Sequence, residues 1–182
     1  MAMSPMLWDI EKSKFVTIAG SGSGYTISPE ENESNGSTGG SYIDDESATF
    51  GRCIKVSAPT KDTNILTYDI SGLSFGFQSI MLRLKSSLVG TTANLVLIKT
   101  YYVCGNTVTQ LSTTYLKASN FTTAKVYKEL GFVTNFKGEF NEEMKLRIEI
   151  VSLANNGADI TLDNINVTPA MPGITAMPTV LS

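Results

Sequence analysis

The stretch that decides the fold class is "QSIMLRLKSSL", residues 78–88. Apolar side chains occupy every second position, at Ile80, Leu82 and Leu84, and a charged residue, Arg83, stands between two of them. Because successive side chains of a β-strand point to opposite faces, this alternation predicts a half-buried antiparallel strand with one face toward solvent.

The same signal extends outward from this stretch in both directions. "EEMKLRIEIVS" (142–152) alternates as cleanly, and "NNGAD" (155–159) after it is a turn. Weaker strand candidates, bounded by Gly, Asn or Ser, are residues 14–19 with 25–28 as a resumption, 48–58, 64–70, 92–103, 107–116, 124–133 and 160–167. The short connections predict that 78–88 and 92–103 form one hairpin, and that 142–152 and 160–167 form another.

Eight to ten short strands without a helical period predict an all-β fold, an antiparallel β-sandwich of the jelly-roll type with little or no helix. We expect a sandwich domain over residues 14–168, preceded by an N-terminal segment, 1–13. Residues 29–41 are predicted to form a polar surface loop. Residues 169–182 contain three prolines and form either a flexible end or an arm that lies on a neighbouring subunit.

Composition restricts the partners. The 182 residues are 42% apolar and 17% charged with a net charge of −3, so we expect a packed core but no positive field for nucleic acid. No apolar run reaches about 18 residues, so no membrane span is predicted. The first residues lack a basic start and an apolar leader, which predicts either no export by that route or a leader already removed.

The chain contains no histidine and two cysteines. This excludes Ser-His-Asp and Cys-His catalysis and histidine-ligated zinc. A glycosidase would need two carboxylates flanking a cleft, and no motif supports such a pair, so a non-enzymatic protein is predicted. Cys53 and Cys104 are either two reduced, buried thiols or a disulfide, which requires Cα atoms within about 7 Å of each other.

The closing stretch "ITLDNINVTP" (160–169) changes parity in its middle. Ile160 and Leu162 point one way, and Ile165 joins their face only if one residue between them is looped out. That count predicts a β-bulge at Asp163 and the asparagine that follows it, since short polar residues tolerate the backbone angles of a bulge.

A closing strand Ile-x-Leu-Asp-Asn-Ile-x-Val after an alternating strand and a small turn resembles the C-terminal signature of galactose-binding-like jelly rolls, which include many carbohydrate-binding modules. The match covers Ile160–Val167, and over Lys14–Ser152 the resemblance is architectural. It implies that the last strand lies beside the first and that structural calcium binds near Asp163. Early-loop carboxylates would complete that site: Glu30, Glu31, Asp44 and Asp45. The alternatives are solvated loop charges and, for Asp163, an acceptor that stabilises the bulge.

Sugar-binding members of that superfold present aromatic platforms, and this chain has one Trp, at position 8. Its candidates for a sugar-stacking face are four tyrosines: Tyr101, Tyr102, Tyr115 and Tyr127. The alternative is ordinary strand tyrosines with a buried ring and a solvated hydroxyl.

Two functional hypotheses follow. A histidine-free jelly roll rich in Ser, Thr, Gly and Asn, with a proline-punctuated arm, resembles bacteriophage virion proteins of tail fibres, baseplates or capsid decoration. The first hypothesis is therefore a non-enzymatic structural protein of a virion, assembled in the host cytoplasm with other virion subunits or as a homo-oligomer such as a trimer. The alternative is an extracellular glycan-binding module of a bacterial cell-surface or secreted protein.

Overall fold

The computed structural model describes residues 16–17, 25–27, 40–153 and 157–170, with side chains from residue 40 onward. These residues form eleven β-strands and one short 3₁₀ turn, Ala118–Asn120. The strands are β1 (Val16–Thr17), β2 (Tyr25–Ile27), β3 (Ser41–Asp44), β4 (Arg52–Val56), β5 (Thr63–Ser71), β6 (Gly76–Ser86), β7 (Asn94–Cys104), β8 (Thr107–Lys117), β9 (Lys128–Phe136), β10 (Lys145–Ser152) and β11 (Ile160–Pro169). The predicted all-β fold is confirmed.

The strands form two antiparallel sheets. The smaller sheet has the order β5-β10-β7-β8. In the larger sheet β11 is central, with β6 along one side and β9 outside β6. On its other side, β4 and then β3 flank the first half of β11, whereas β2 and then β1 flank the second half. The last strand thus lies beside β2, the second strand of the early pair, whereas the resemblance implied the first. Residues 25–27 do not resume the first strand as predicted, because they pair antiparallel with β1.

The core lies between the two sheets. From β6 the alternation places Ile80, Leu82 and Leu84 inside, fully buried, while from β10 Leu146 and Ile148 meet them from the opposite sheet. Burying each such side chain contributes about 1.5–3 kcal/mol relative to exposure. The period-two pattern read from 78–88 therefore reports which face of the strand packs against the other sheet.

The first predicted hairpin is wrong. β6 and β7 follow each other in the chain, yet β6 pairs with β11 and β9 in the larger sheet, and β7 pairs with β10 and β8 in the smaller one. Their connection crosses between sheets and is held by backbone bonds from Gly90 N–H to Ala118 O and from Ala118 N–H to Ala93 O, each 2.9 Å. A short connection with glycine suits a crossing as well as a tight turn.

The second predicted hairpin is wrong for the same reason, because β10 belongs to the smaller sheet and β11 to the larger.

The prediction over 48–58 was too long: Asp45 N–H bonds Gly51 O at 2.9 Å, which makes residues 45–51 a turn before β4. β3 was missed: its first residue, Ser41, lies in the Gly-rich stretch assigned to a loop, and its other three residues follow that stretch directly. Residues 29–39 of that predicted loop lie outside the described residues.

The predicted β-bulge is confirmed. Along β11, Leu162 pairs with Leu84 and Asn164 pairs with Arg83, so that Asp163 is the extra residue. The bulge lies where the neighbour on the other side of β11 changes from β4 to β2. An interruption of the ladder is therefore accommodated where one strand pairing ends and another begins.

The predicted N-terminal segment, 1–13, and residues 171–182 of the predicted arm lie outside the described residues. Pro169 ends β11, and Ala170 N–H bonds Phe77 O at 2.8 Å, so the sheet extends slightly past the predicted boundary at 168.

Both cysteines are free: Cys53 is buried, which raises the pKa of its thiol, and Cys104 is partly buried. Among the described residues, no helix has the length and apolarity of a membrane span.

Candidate functional site

One end of the sandwich carries a groove between two chain connections. β7 turns into β8 through Gly105, whose φ of 54° lies in the left-handed region that favours glycine. Beside this turn, residues 137–144 lead from β9 to β10. The groove between the two connections, the loop-end groove, has a volume of about 380 Å³. Its lining comprises Tyr102, Cys104, Thr107, Thr109 and residues 137–141.

The floor of the loop-end groove is fixed by Tyr102. Its hydroxyl donates to the Glu139 carbonyl oxygen at 2.6 Å. A Cβ added to Gly138 would lie 2.5 Å from ring carbons of Tyr102, so only glycine lets the loop backbone approach the ring this closely. The Phe75 and Phe136 rings pack near Tyr102, with centroids 6.4 and 6.2 Å away. A packed aromatic cluster thus positions the β9–β10 connection.

The rim of the groove combines an exposed ring with polar groups. Phe140 is 79% exposed, so its side chain is available to a ligand. Asn141 Oδ1 accepts from Glu143 N–H at 2.9 Å, which holds the side-chain amide and leaves its NH₂ group as a donor. Thr107 and Thr109 add hydroxyls from the start of β8.

The charges of the groove balance. Lys137 and Glu139 contribute one ammonium and one carboxylate to the lining. A ligand with an apolar C–H face and several hydroxyl groups matches this arrangement: its C–H face packs on an aromatic ring, while hydroxyls exchange hydrogen bonds with amide, carboxylate and threonine groups. A pyranose ring has both features.

The four predicted tyrosines do not share one face. Tyr101 and Tyr115 lie on the outer face of the smaller sheet, where the Tyr101 hydroxyl donates to Glu149 at 2.8 Å. Burial, and after it the Glu149 carboxylate, raises the pKa of Tyr101 to about 12. Tyr102 is buried beneath the loop-end groove. Tyr127 lies over the outer face of the larger sheet, where its ring contacts the Arg83 and Lys85 side chains. Burial raises the pKa of Tyr127. Only Tyr102 of the four lines the groove.

Two of the predicted metal-binding acids instead form a network with cations. Asp163 is fully buried; its carboxylate accepts from Thr49 N–H at 3.0 Å and Thr49 Oγ1 at 2.8 Å, and it forms an ion pair with Arg83. Asp45 forms an ion pair with Lys85. The Arg83 and Lys85 cations lie 4.5 and 4.4 Å from the centroid of the Tyr127 ring. The two pairs are therefore joined through one aromatic ring.

The described acids do not fit a calcium site. Calcium takes six to eight oxygen ligands, whereas the Asp163 carboxylate faces three donor groups that a cation would have to displace. Asp44 is exposed and lies 3.8 Å from Arg52. Within residues 40–153 and 157–170, no three acidic or thiol side chains group as a metal site would require. Glu30 and Glu31 lie outside the described residues, so structural calcium stays a prediction.

We expect Asp45→Asn to lower the free energy of unfolding by about 1–2 kcal/mol at pH 7. The Lys85 ammonium is the main group that holds the pKa of Asp45 well below its usual range. A lowered folded-state pKa stabilises the fold above the unfolded value, about 3.9, and this contribution is lost as pH falls through the folded value. Urea unfolding at pH 7 and pH 2.5 measures this: the difference between wild type and variant should shrink in acid. An equal difference at both pH values would contradict the expectation.

Sequence reasoning included Tyr102 but missed the residues that form the rim of the loop-end groove. Phe140 and Asn141 lie in "KGEFNEEM" (137–144), between the predicted strands 124–133 and 142–152. The available signal was Phe140, the one aromatic residue in this polar connection. A ring in a surface connection has no core position to occupy, so it indicates a possible contact with a ligand. Gly138 was a second signal that only the position of Tyr102 explains.

The sequence matches no protein-family model and no curated protein. Solved structures share its fold. A CBM35 from Cellvibrio japonicus Abf62 superposes with a TM-score of 0.53 at 12% identity, covering 82% of this chain and 95% of that one. The Agl-KA catalytic domain has a TM-score of 0.57 at 9% identity, with 91% of this chain covered. Arthrobacter globiformis T6 isomalto-dextranase complexed with panose has a TM-score of 0.53 at 10% identity, with 79% of this chain covered.

The coverage differs among these structures. This chain spans 31% of the Agl-KA chain and 23% of the isomalto-dextranase, but nearly all of the CBM35 domain. At identities of 9–12% the likeness concerns the fold alone. The chain has a jelly-roll β-sandwich of the kind found in carbohydrate-binding modules.

Proposed function

We propose that this protein is a non-enzymatic glycan-binding module that holds a neutral saccharide in the loop-end groove. The observation that carries the proposal is the Phe140 ring, 79% exposed at the edge of a concave site that also presents hydroxyl, amide and carboxylate groups. Large apolar side chains that are exposed beside convergent polar groups mark ligand sites more often than isolated surface residues do.

The electrostatics of the groove support a neutral ligand. Lys137 and Glu139 offset each other, and the hydroxyls of Thr107 and Thr109 are uncharged donors and acceptors. A saccharide hydroxyl can donate to the carboxylate and accept from the ammonium, so both charged groups are used without a charged partner.

Binding rather than hydrolysis is favoured by the lining. Glycoside hydrolysis uses two carboxyl groups about 5–10 Å apart on either side of the scissile bond. Among the described residues that line the groove, Glu139 is the one carboxylate. A single carboxylate can orient a saccharide hydroxyl but does not supply an acid and a base.

The fold supports the proposal at a coarser level. The CBM35 domain whose fold this chain shares has nearly the same extent, with 95% of it covered. The virion role expected first from the sequence depends on the arm, 169–182, and on assembly contacts. It stays a prediction, and the glycan-binding hypothesis stands ahead of it because the fold shared with the CBM35 domain supports the latter.

A glycan array of neutral polysaccharides, run with calcium and again with EDTA, tests the proposal. We expect binding to at least one neutral glycan class and no release of reducing ends from it. If binding persists in EDTA, the groove acts without calcium; if it disappears, the calcium hypothesis is revived. An array that stays blank in both conditions would contradict the proposed function.

A further inference from the structure

A second, smaller pocket lies at the end of the sandwich opposite the loop-end groove. The two sites are separated by the length of β6, roughly 30 Å for eleven residues of a strand. The smaller pocket lies on the outer side of the larger sheet and has a volume of about 190 Å³. Three lysines from separate elements line it: Lys55 of β4, Lys85 of β6, and Lys125 of the connection between β8 and β9. We call it the lysine pocket.

The lysine pocket has an excess of positive charge. Lys55 pairs with Asp159 at 3.0 Å, and Lys85 pairs with Asp45. Among the described residues, the Lys125 ammonium has no carboxylate partner. Three ammonium groups against two carboxylates leave one positive charge, in a chain whose net charge is −3. The exposed Lys125 ammonium therefore gives the pocket a net positive charge, and the two neighbouring lysines offer further N–H donors to an anion that it attracts.

The backbone of Lys125 is held in an uncommon conformation. Its φ is 61°, in the left-handed region where glycine and asparagine are favoured and where a lysine costs about 1 kcal/mol. Its N–H donates to the Ser86 carbonyl oxygen at 2.8 Å, which fixes this position against the end of β6. The Lys125 side chain therefore starts from a defined point beside Lys85.

The opposite wall is equally fixed. Asp159 N–H donates to Ser87 Oγ at 2.9 Å, and Ser87 N–H donates to the Asp159 carbonyl oxygen at 3.0 Å. The Asp159 carboxylate also accepts from Ala58 N–H at 3.0 Å, which holds the carboxylate in place. Its ion pair is with Lys55 and not with Lys125. The Asp159 charge is thus satisfied within the wall.

We propose that the lysine pocket binds the oxyanion of an acidic ligand: a carboxylate, sulfate or phosphate group. Lys125 supplies the uncompensated charge, and Lys55 and Lys85 add ammonium donors from the two sides. The volume of about 190 Å³ is below the roughly 300–1,000 Å³ of a pocket for a whole small molecule, so it takes one charged group of a larger ligand or a free ion. This site does not depend on the loop-end groove.

NMR titration of the full chain with sodium sulfate, against sodium chloride at equal ionic strength, tests this proposal. Chemical shifts are preferred to melting temperatures because sulfate stabilises proteins in general. We expect saturable shifts at residues 55, 85–87, 125 and 159. Lys125→Asn removes the ammonium while tolerating the backbone angle, and it should weaken sulfate binding about tenfold.

Matched variants separate a local site from the overall field. Lys61→Asn removes the same charge from an exposed position outside the pocket and should change sulfate affinity less than twofold; Lys125→Arg should retain most of it. Equal losses for Lys125→Asn and Lys61→Asn, or shifts that do not saturate, would overturn the proposal. Parallel titrations with phosphate and glucuronate identify which oxyanion binds tightest. Phe140→Ala should leave sulfate binding unchanged, so failure here is distinct from failure of the proposed function.

Discussion

Phe140→Ala is expected to weaken binding of the glycan selected on the array about 30-fold while the protein stays folded. The side chain is 79% exposed, so its removal forfeits little packing in the free protein, within about 0.5 kcal/mol. In the complex the ring is covered by the sugar, and burying a phenylalanine is worth about 2 kcal/mol, which corresponds to about 30-fold in the dissociation constant. Isothermal titration and urea unfolding measure the two effects separately.

Tyr115→Ala is the matched control for Phe140→Ala. Tyr115 is a 50% exposed aromatic residue on the outer face of the smaller sheet, away from the loop-end groove, and it belongs to the tyrosine face expected from the sequence. We expect its removal to leave glycan affinity within about twofold. If Tyr115→Ala abolishes binding and Phe140→Ala does not, the glycan lies on the sheet face and the assignment of the groove is wrong.

Asp163→Ala is expected to lower the free energy of unfolding by about 3 kcal/mol. The carboxylate is fully buried and accepts from the Thr49 N–H and hydroxyl groups as well as pairing with Arg83. Truncation removes the acceptor of the Thr49 donors and the carboxylate partner of the Arg83 cation at the bulge, where β11 changes neighbours. Urea unfolding at pH 7 measures the loss.

Two further variants test whether the burial of Asp163 causes the expected loss of stability. Asp44→Ala removes an exposed carboxylate whose ion pair with Arg52 is 3.8 Å long, and it should cost no more than about 0.5 kcal/mol. Asp163→Asn keeps the shape and one acceptor, so we expect an intermediate loss. A loss for Asp163→Ala as small as that for Asp44→Ala would contradict the structural role given to Asp163.

The strands were predictable because apolar side chains occupy the buried face of each one, at every second position. The alternation of Ile80, Leu82 and Leu84 identified β6 and its inner face, and the parity of Ile160, Leu162 and Ile165 identified the bulge. Both signals are local, since they depend on the direction of successive side chains along one strand.

Strand pairing was not predictable in the same way. The 78–88 and 92–103 stretches look like a hairpin from their spacing, but a jelly roll alternates between sheets, and that alternation depends on which distant strand covers each edge. β3 shows a related limit: it is four residues long, partly exposed, and defined by its pairing with β4. Long-range pairing energy, rather than the composition of the segment, makes it a strand.

The candidate site was the least predictable part. Tyr101, Tyr115 and Tyr127 were chosen because aromatic residues on strands can form platforms, yet their sequence positions do not show which sheet face or neighbouring charge each one meets. Tyr102 contributes differently from expectation, as a buried support for the groove. The role proposed for Phe140 depends on the turn at the end of β7, which lies more than thirty residues earlier in the sequence.

The measurement that tests the central claim most directly is NMR mapping of the bound glycan on ¹⁵N-labelled protein. The account predicts that the largest amide shifts fall on residues 102–109 and 137–141, with little change at residues 80–86 or 160–168. Shifts concentrated on the outer face of either sheet, with residues 137–141 unaffected, would contradict the assignment of the loop-end groove as the glycan site.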